Sequence, residues 1–181
     1  MINIIVAHCR RRGIGLNNRL PWKLSKDMQY FKDNTIGNGN NAVIMGRKTW
    51  ESLPEAARPL AERYNIIVSK TIKQSLPTNC KVVSNINEAV DYSNSKNFDI
   101  VWAIGGAGIY DGILRHKKVD GIYITNIEND IHCDTFFPDI GDNYRLVRTS
   151  NWKKDKDLKY RFEVYTANRS TIFDRLTIDM V

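Results

Sequence analysis

Cysteine is scarce: the chain has 3 among 181 residues. Cys9, Cys80 and Cys133 are far apart, odd in number and without a metal-type pair spacing, which argues against a disulfide framework and a zinc site. They suit a reducing compartment. Proline and glycine are also few, at 5 and 11, so collagen-like and low-complexity chains are excluded. No apolar run approaches the roughly 18 residues needed to span a bilayer. The amino-terminal stretch is apolar over residues 2–7 and then basic at Arg10, Arg11 and Arg12, the reverse of a secretory leader. These features predict a protein that is neither membrane-spanning nor exported. Acids fall short of bases, 20 against 27, for a net charge of +7, which favours anionic partners such as nucleic acid or phosphorylated small molecules. Hydrophobic residues make up 42%, enough at this length for one domain with a sizeable core.

The order of elements follows from short apolar runs punctuated by glycine. Residues 2–7 read as a strand and Gly13-Ile14-Gly15 with Asn17-Asn18 as a loop. Ser25 reads as the N-cap of a helix from Lys26 that the Gly37–Asn41 stretch breaks. Residues 42–45 are a second strand, ended by Gly46, with a short helix at residues 49–53 before Pro54. Strands at 65–69 and 81–83, a helix at 87–93 and a buried strand at 100–104 follow. Gly105-Gly106-Ala107-Gly108 then opens a helical stripe through Ile109, Tyr110, Ile113 and Leu114. This alternation predicts an α/β fold, one domain with a mostly parallel twisted sheet and helices on both faces, and ligand sites beyond the strands' carboxyl ends. Residues 121–126 and 160–166 are strand-like with no helix between, predicting an antiparallel edge at the C-terminus. Residues 167–181 read as an appendage in which Ile172, Phe173, Leu176 and Ile178 suggest a short amphipathic helix.

Several positions admit a chemical reading beside a plain one. Asp27, near Leu20, Pro21 and Trp22 and beside Met28 and Phe31, reads either as an acid favouring a helix start or as a carboxylate held for a polar ligand in an apolar crevice. Gly105-Gly106 after a buried strand allows close backbone approach, and the helix that follows can receive a phosphate at its N-terminus. Gly46-Arg47-Lys48-Thr49 and Ser69-Lys70 place cations and hydroxyls at two neighbouring strand ends, either as a phosphate-binding rim or as a solvated basic surface.

Taken together, Ile14-Gly15 with Asn18, Leu20-Pro21-Trp22, Asp27 with Phe31, Val43 to Trp50 (VIMGRKTW), Arg58-Pro59-Leu60 with Arg63, Ile104-Gly105-Gly106 with Tyr110, Thr125, and Asp134 to Pro138 (DTFFP) resemble dihydrofolate reductase. The resemblance covers residues 1–166. Residues 54–57 and 160–165 are more similar to eukaryotic members than to bacterial ones, although the acid is Asp rather than the Glu of vertebrates.

The resemblance implies NADPH-dependent reduction of 7,8-dihydrofolate to tetrahydrofolate. It implies Asp27 as the pterin-binding carboxylate, supported by Thr125, with Leu20 and Trp22 in the loop that gates water. Ala7, Ile14 and Tyr110 would flank the nicotinamide. Gly15, Asn18, Leu20, Gly46, Thr49, Ile104, Gly105, Gly106, Ala107, Gly108, Ile109 and Thr135 would complete the cofactor site, with a cis peptide at Gly105-Gly106. Arg47, Lys48, Ser69 and Lys70 match positions that select NADPH through its 2′-phosphate. Met28, Phe31, Leu53 and Leu60 would line the aminobenzoyl channel, and Arg63 would grip the α-carboxylate of the glutamate tail. Many relatives carry glycine before that arginine, where this chain has Glu62. The resemblance also implies a cytoplasmic protein, without membrane or specific nucleic-acid partners and monomeric unless joined to thymidylate synthase, as in several protists. Residues 167–181 stand as the start of such a connection, a native tail or a packing helix. Two other readings are a same-fold reductase of another pterin or a riboflavin precursor, and a nucleic-acid-binding protein carried by the basic clusters at residues 10–12, 115–118 and 153–156.

Overall fold

The computed structural model describes residues 1–116 and 119–168. In chain order the elements are β1 (Ile2–His8), β2 (Gly13–Gly15), α1 (Ser25–Ile36), β3 (Asn41–Gly46), α2 (Arg47–Ser52), β4 (Arg63–Val68), β5 (Cys80–Val83), α3 (Ile86–Asn94), β6 (Val101–Gly105), α4 (Ala107–Arg115), β7 (Val119–Ile127), β8 (Thr135–Phe136), β9 (Tyr144–Thr149), β10 (Lys153–Asp155) and β11 (Leu158–Ala167). Nine strands form one sheet in the order β10-β11-β7-β1-β6-β3-β4-β5, with β9 pairing on β11. Pairing is parallel from β7 to β5 and antiparallel at β11.

Strand periodicity sorts the core into two layers. Ile2, Ile4, Val6, Ala42, Ile44, Val101 and Ala103 pack on one face, while Ile5, Val43, Met45 and Trp102 pack on the other. Successive side chains on a strand point to opposite faces, so a β-branched run with no polar break is buried on both sides. Each fully buried large aliphatic contributes about 1.5–3 kcal/mol relative to exposure. A third cluster, with Cys9, Trp22, Leu24, Ile127, Cys133 and Tyr160, closes one end of the sheet.

The structure departs from the sequence reading at four places. Gly13–Gly15 is a strand rather than a loop, because β8 supplies its pairing. Ser25 is the first helical residue; the N-cap is Leu24, which has no side-chain cap bond. Leu24 is buried, so its apolar anchor sets the helix entry where a hydroxyl was expected. The helix expected at 49–53 begins at Arg47, directly after β3. The antiparallel C-terminal edge is present, and it extends beyond the strand at residues 160–166. Strands β9 and β10 lie outside it, and their exposed residues carry too little alternation to be read as strands. Strand β11 runs on to Ala167, and the Asn168 amide donates to the Asn143 carbonyl at 2.8 Å. The helix expected from Ile172, Phe173, Leu176 and Ile178 lies outside the described residues.

Candidate active site

The carboxyl ends of β1 and β6 open onto a cleft of about 250 Å³ between α1, α2 and the segment at residues 14–20. Its wall includes Ala7, Ile14, Gly15, Asn18, Leu20, Asp27, Met28, Phe31, Thr49, Leu53, Ile104, Gly105, Gly106, Tyr110 and Thr135. The chain thus gathers fifteen of the expected site residues, drawn from six segments, around one space.

Asp27 sits in the first turn of α1 and is 8% exposed. One oxygen, Oδ1, accepts the Thr125 hydroxyl from β7 at 2.6 Å. Burial raises the Asp27 pKa above the ordinary carboxylate value, and the Thr125 hydrogen bond partly opposes that rise. Trp22 is buried beside this end of the sheet, and its indole N–H has no partner among the described residues. Tyr110 donates its hydroxyl to the Ile5 carbonyl at 3.0 Å, and burial keeps it neutral by raising its pKa far above the usual range. Its ring lies against Gly105, where a Cβ would come within 3.0 Å of the Tyr110 oxygen. Gly105 also has φ +110 and is joined to Gly106 by a cis peptide bond, a conformation open only to glycine.

The fit to NADPH is tested by the strand-to-helix junctions. Gly46 and Gly106 are the N-caps of α2 and α4, and neither helix has an acid in its first turn. A Cβ on Gly106 would lie 3.6 Å from Thr49 Oγ1, so the bare glycine leaves a cradle between the two helix starts. Ala107 and Gly108 form the first turn of α4, and a Cβ on Gly108 would meet nothing within 4 Å. A negatively charged diphosphate suits such a surface. Ile109 belongs to the core and packs on Gly46, so it shapes the cradle from behind.

The basic rim differs from expectation in one respect. Arg47 is tied to Glu51 one turn along α2, with Nη1 2.8 Å from both carboxylate oxygens. Its charge is shared with its own helix. Lys48 and Lys70 are exposed. Ser69 is buried, its Oγ accepts the Thr71 and Ile72 amides at 3.1 Å, and it lies 3.4 Å from the Thr71 hydroxyl.

Arg63 opens β4, is 8% exposed and is not among the residues that line the cleft. Its Nη1 donates to Thr35 Oγ1 at 2.8 Å, its Nε donates to the Ala61 carbonyl at 2.8 Å, and the guanidinium carbon lies 6.0 Å from the Phe31 ring centre. Two of the five guanidinium N–H groups are used. Leu60 is core, packed with Trp50 and Ile67 rather than lining the cleft. Leu20 and Met28 are more than half exposed on the rim.

Sequence reasoning missed Ser52 and Arg19, which line the cleft, and Thr35, which holds Arg63. Ser52 lies three residues after Thr49, so helical spacing pointed to it. The pairing of Thr35 with Arg63 spans 28 residues and left no local signal.

The basic clusters are interleaved with acids. Arg11 lies 3.5 Å from Asp130, Arg12 2.9 Å from Asp139 and Arg115 2.8 Å from Asp111. Among the described residues no helix is long and apolar enough to cross a membrane, and no cluster could hold a metal ion.

The sequence matches the dihydrofolate reductase profile over residues 1–169. It is 36% identical to the dihydrofolate reductase of Heliothis virescens over 91% of this chain and 96% of that protein. Against the Sus scrofa enzyme the identity is 34%, covering 92% and 98%. Against the Schistosoma mansoni enzyme it is 40%, covering 77% and 78%. Agreement at this level across such distant sources, over more than three quarters of each protein, shows with the profile match that the chain belongs to the dihydrofolate reductase family.

Proposed function

We propose that this chain reduces 7,8-dihydrofolate to 5,6,7,8-tetrahydrofolate with NADPH, and that Asp27 is the group that holds and tunes the pterin. The observation that carries the site assignment is a buried carboxylate on the wall of an otherwise largely apolar cleft, bonded through one oxygen to Thr125. Unpaired buried charge is costly, so a fold that keeps one here gains from a ligand that satisfies it.

NADPH, when bound, supplies the hydride. Asp27 Oδ2, together with the second lone pair of Oδ1, accepts the 2-amino and ring N–H donors of the pterin, which lie side by side as a carboxylate requires. This contact orients the heterocycle and draws electron density toward protonation at N5. Tyr110 stays neutral, and among the described residues Asp27 is the only acid on the cleft wall. The N5 proton therefore arrives by water past Leu20. The buried Trp22 indole N–H is a donor of the kind that a water satisfies. Ala7, Ile14 and Tyr110 keep the reacting end dry, which favours a near-attack geometry.

Gly46, Thr49, Gly105, Gly106 and the first turn of α4 hold the diphosphate, while Lys48, Ser69 and Lys70 read the 2′-phosphate. Phe31 and Leu53 bracket the aminobenzoyl group, and Arg63 pairs with the tail carboxylate. The catalytic domain expected over residues 1–166 runs on through Ala167 and Asn168, and the rest, to 181, is an appendage. Three unpaired cysteines fit a reducing compartment such as the cytoplasm.

Loss of near-ultraviolet nicotinamide absorbance on mixing protein, NADPH and dihydrofolate tests the reading, and the absence of turnover would overturn it. Competition by methotrexate, a folate-shaped inhibitor, distinguishes folate from another pterin or a riboflavin precursor.

A further inference from the structure

The thiols of Cys9 and Cys133 lie 3.7 Å apart, 124 residues distant in the chain. Cys9 directly follows the central strand β1, and Cys133 leads into β8. Both are buried, Cys9 fully and Cys133 to within 8%. Gly13 packs directly on the pair: a Cβ there would lie 2.6 Å from Cys133 Sγ and 2.9 Å from Cys9 Sγ. Only a residue without a side chain leaves room for two sulfurs at this point.

The segments carrying these cysteines hold the cleft's outer wall. The Cys9 amide donates to the Gly13 carbonyl at 2.9 Å, the Asp134 amide to the Gly15 carbonyl at 2.9 Å and the Phe137 amide to the Arg12 carbonyl at 2.8 Å. Asn17 donates its amide to Asp134 Oδ2 at 2.8 Å. Residues 12–17 are thus laced to 134–137, and the chain runs straight on to Asn18 and Leu20 on the rim.

We propose that Cys9 and Cys133 form a disulfide under oxidising conditions, and that this bond restrains the loop over the active site. The oxidant is a low-molecular-weight disulfide. Cys133, the more accessible sulfur, attacks it as thiolate, forming a mixed disulfide and releasing one small thiol. Cys9 then gives up its proton and attacks the Cys133 sulfur, and the second small thiol leaves. The two cysteines lose two electrons and two protons, which the oxidant carries away as two thiols. An S–S bond of about 2.05 Å requires the sulfurs to close by less than 2 Å, and the bare backbone at Gly13 follows them.

Burial and the neighbouring Cys9 thiol push Cys133 up to about 11, so thiolate is scarce at neutral pH and the reaction speeds up toward that value. The pair therefore responds slowly, when loop opening exposes it. The cross-link stands apart from the proposed reaction, and only its effect on turnover rests on that reading.

The test incubates the full chain with oxidised glutathione at mildly alkaline pH. It then reads non-reducing peptide mass maps, hydrogen exchange of residues 12–20 and turnover. The expected result is a Cys9–Cys133 linked peptide, slower exchange over 12–20, and a fall in kcat of about tenfold that dithiothreitol reverses. Cys133→Ala is expected to resist the oxidant, with Cys9→Ala as the second variant should the first fail to fold, while Cys80→Ala responds as wild type. The proposal is overturned if no linked peptide forms, if exchange is unchanged in the linked protein, or if Cys133→Ala loses activity equally. Linkage and slowed exchange without any basal turnover would support the bond and instead count against the reductase reading.

Discussion

Thr125 donates its hydroxyl to Asp27 Oδ1 at 2.6 Å, joining β7 to α1 across 98 residues. A hydrogen bond given to a carboxylate favours its charged form, and here it opposes the upward push of burial. In Thr125→Val the opposition is gone, so the Asp27 limb of the pH–rate profile moves to higher pH. A hydrogen bond to a charged group contributes about 1.5–3 kcal/mol, so kcat/KM drops by roughly 10- to 100-fold. Thr125→Ser restores most of it. A profile that does not move in Thr125→Val would show that the hydroxyl acts only as packing.

Asp27→Asn is expected to lower turnover by about 10² to 10⁴ and also to change stability in a pH-dependent way. Burial raises the folded pKa above the unfolded value, so on raising pH the unfolded chain ionises first. Stability is then lost between an unfolded pKa of about 3.9 and the folded value, and the cost is complete above that window. Asp27→Asn therefore melts higher than wild type at neutral pH, by about 2–4 °C for each kcal/mol relieved. The gap closes in acid below the window. A variant that melts lower at neutral pH would mean that the carboxylate stabilises the fold.

The two halves of that pair differed in legibility. Asp27 stood out because an acid sat among Trp22, Met28 and Phe31, whereas Thr125 was reached only through the family resemblance, since its own neighbours carry no local signal of the contact. The central strands were readable because β-branched runs buried on both faces leave a continuous apolar signature, as in residues 42–45. Strands β9 and β10 were not, since their exposed residues take their order from hydrogen bonds to β11 rather than from burial. The Arg47–Glu51 pair lay in plain view at i,i+4 spacing, and it changes which cations are free to read a phosphate.

That pairing makes an ordered prediction about cofactor choice. Lys48→Ala and Lys70→Ala are expected to weaken NADPH far more than NADH, while Arg47→Ala weakens it less, because its charge is already shared with Glu51. Removing the competitor in Glu51→Gln frees Arg47 and tightens NADPH selectively. An exposed i,i+4 pair holds by about 0.3–0.5 kcal/mol, so the gain is on the order of twofold. Fluorescence titration with both nicotinamides measures it, and equal changes for the two would remove the rim from 2′-phosphate recognition.

Thr35→Val leaves Arg63 Nη1 without its buried acceptor. An unsatisfied buried donor costs about 1–3 kcal/mol, so the variant is expected to melt several degrees lower. The released guanidinium loses its fixed approach to the tail, raising KM for dihydrofolate with kcat unchanged, the signature of lost uniform binding. A fall in kcat at constant KM would place Arg63 in the chemistry of the ring.

Glu62, just before Arg63, occupies φ +59, so the chain keeps a left-handed turn there without glycine. An L-residue in that region costs roughly 1–2 kcal/mol, whereas replacing it with glycine adds about 0.4–1 kcal/mol of unfolded-state entropy to overcome. The difference favours Glu62→Gly by up to about 1.6 kcal/mol. The side chain is exposed, so no packing is lost, and the Arg63 contact to the Ala61 carbonyl keeps its geometry. Denaturant unfolding is expected to show a higher midpoint at unchanged slope, with KM for dihydrofolate as in wild type. A lower midpoint would mean that Glu62 supplies an attraction, such as its charge beside Arg63, that outweighs the torsional cost.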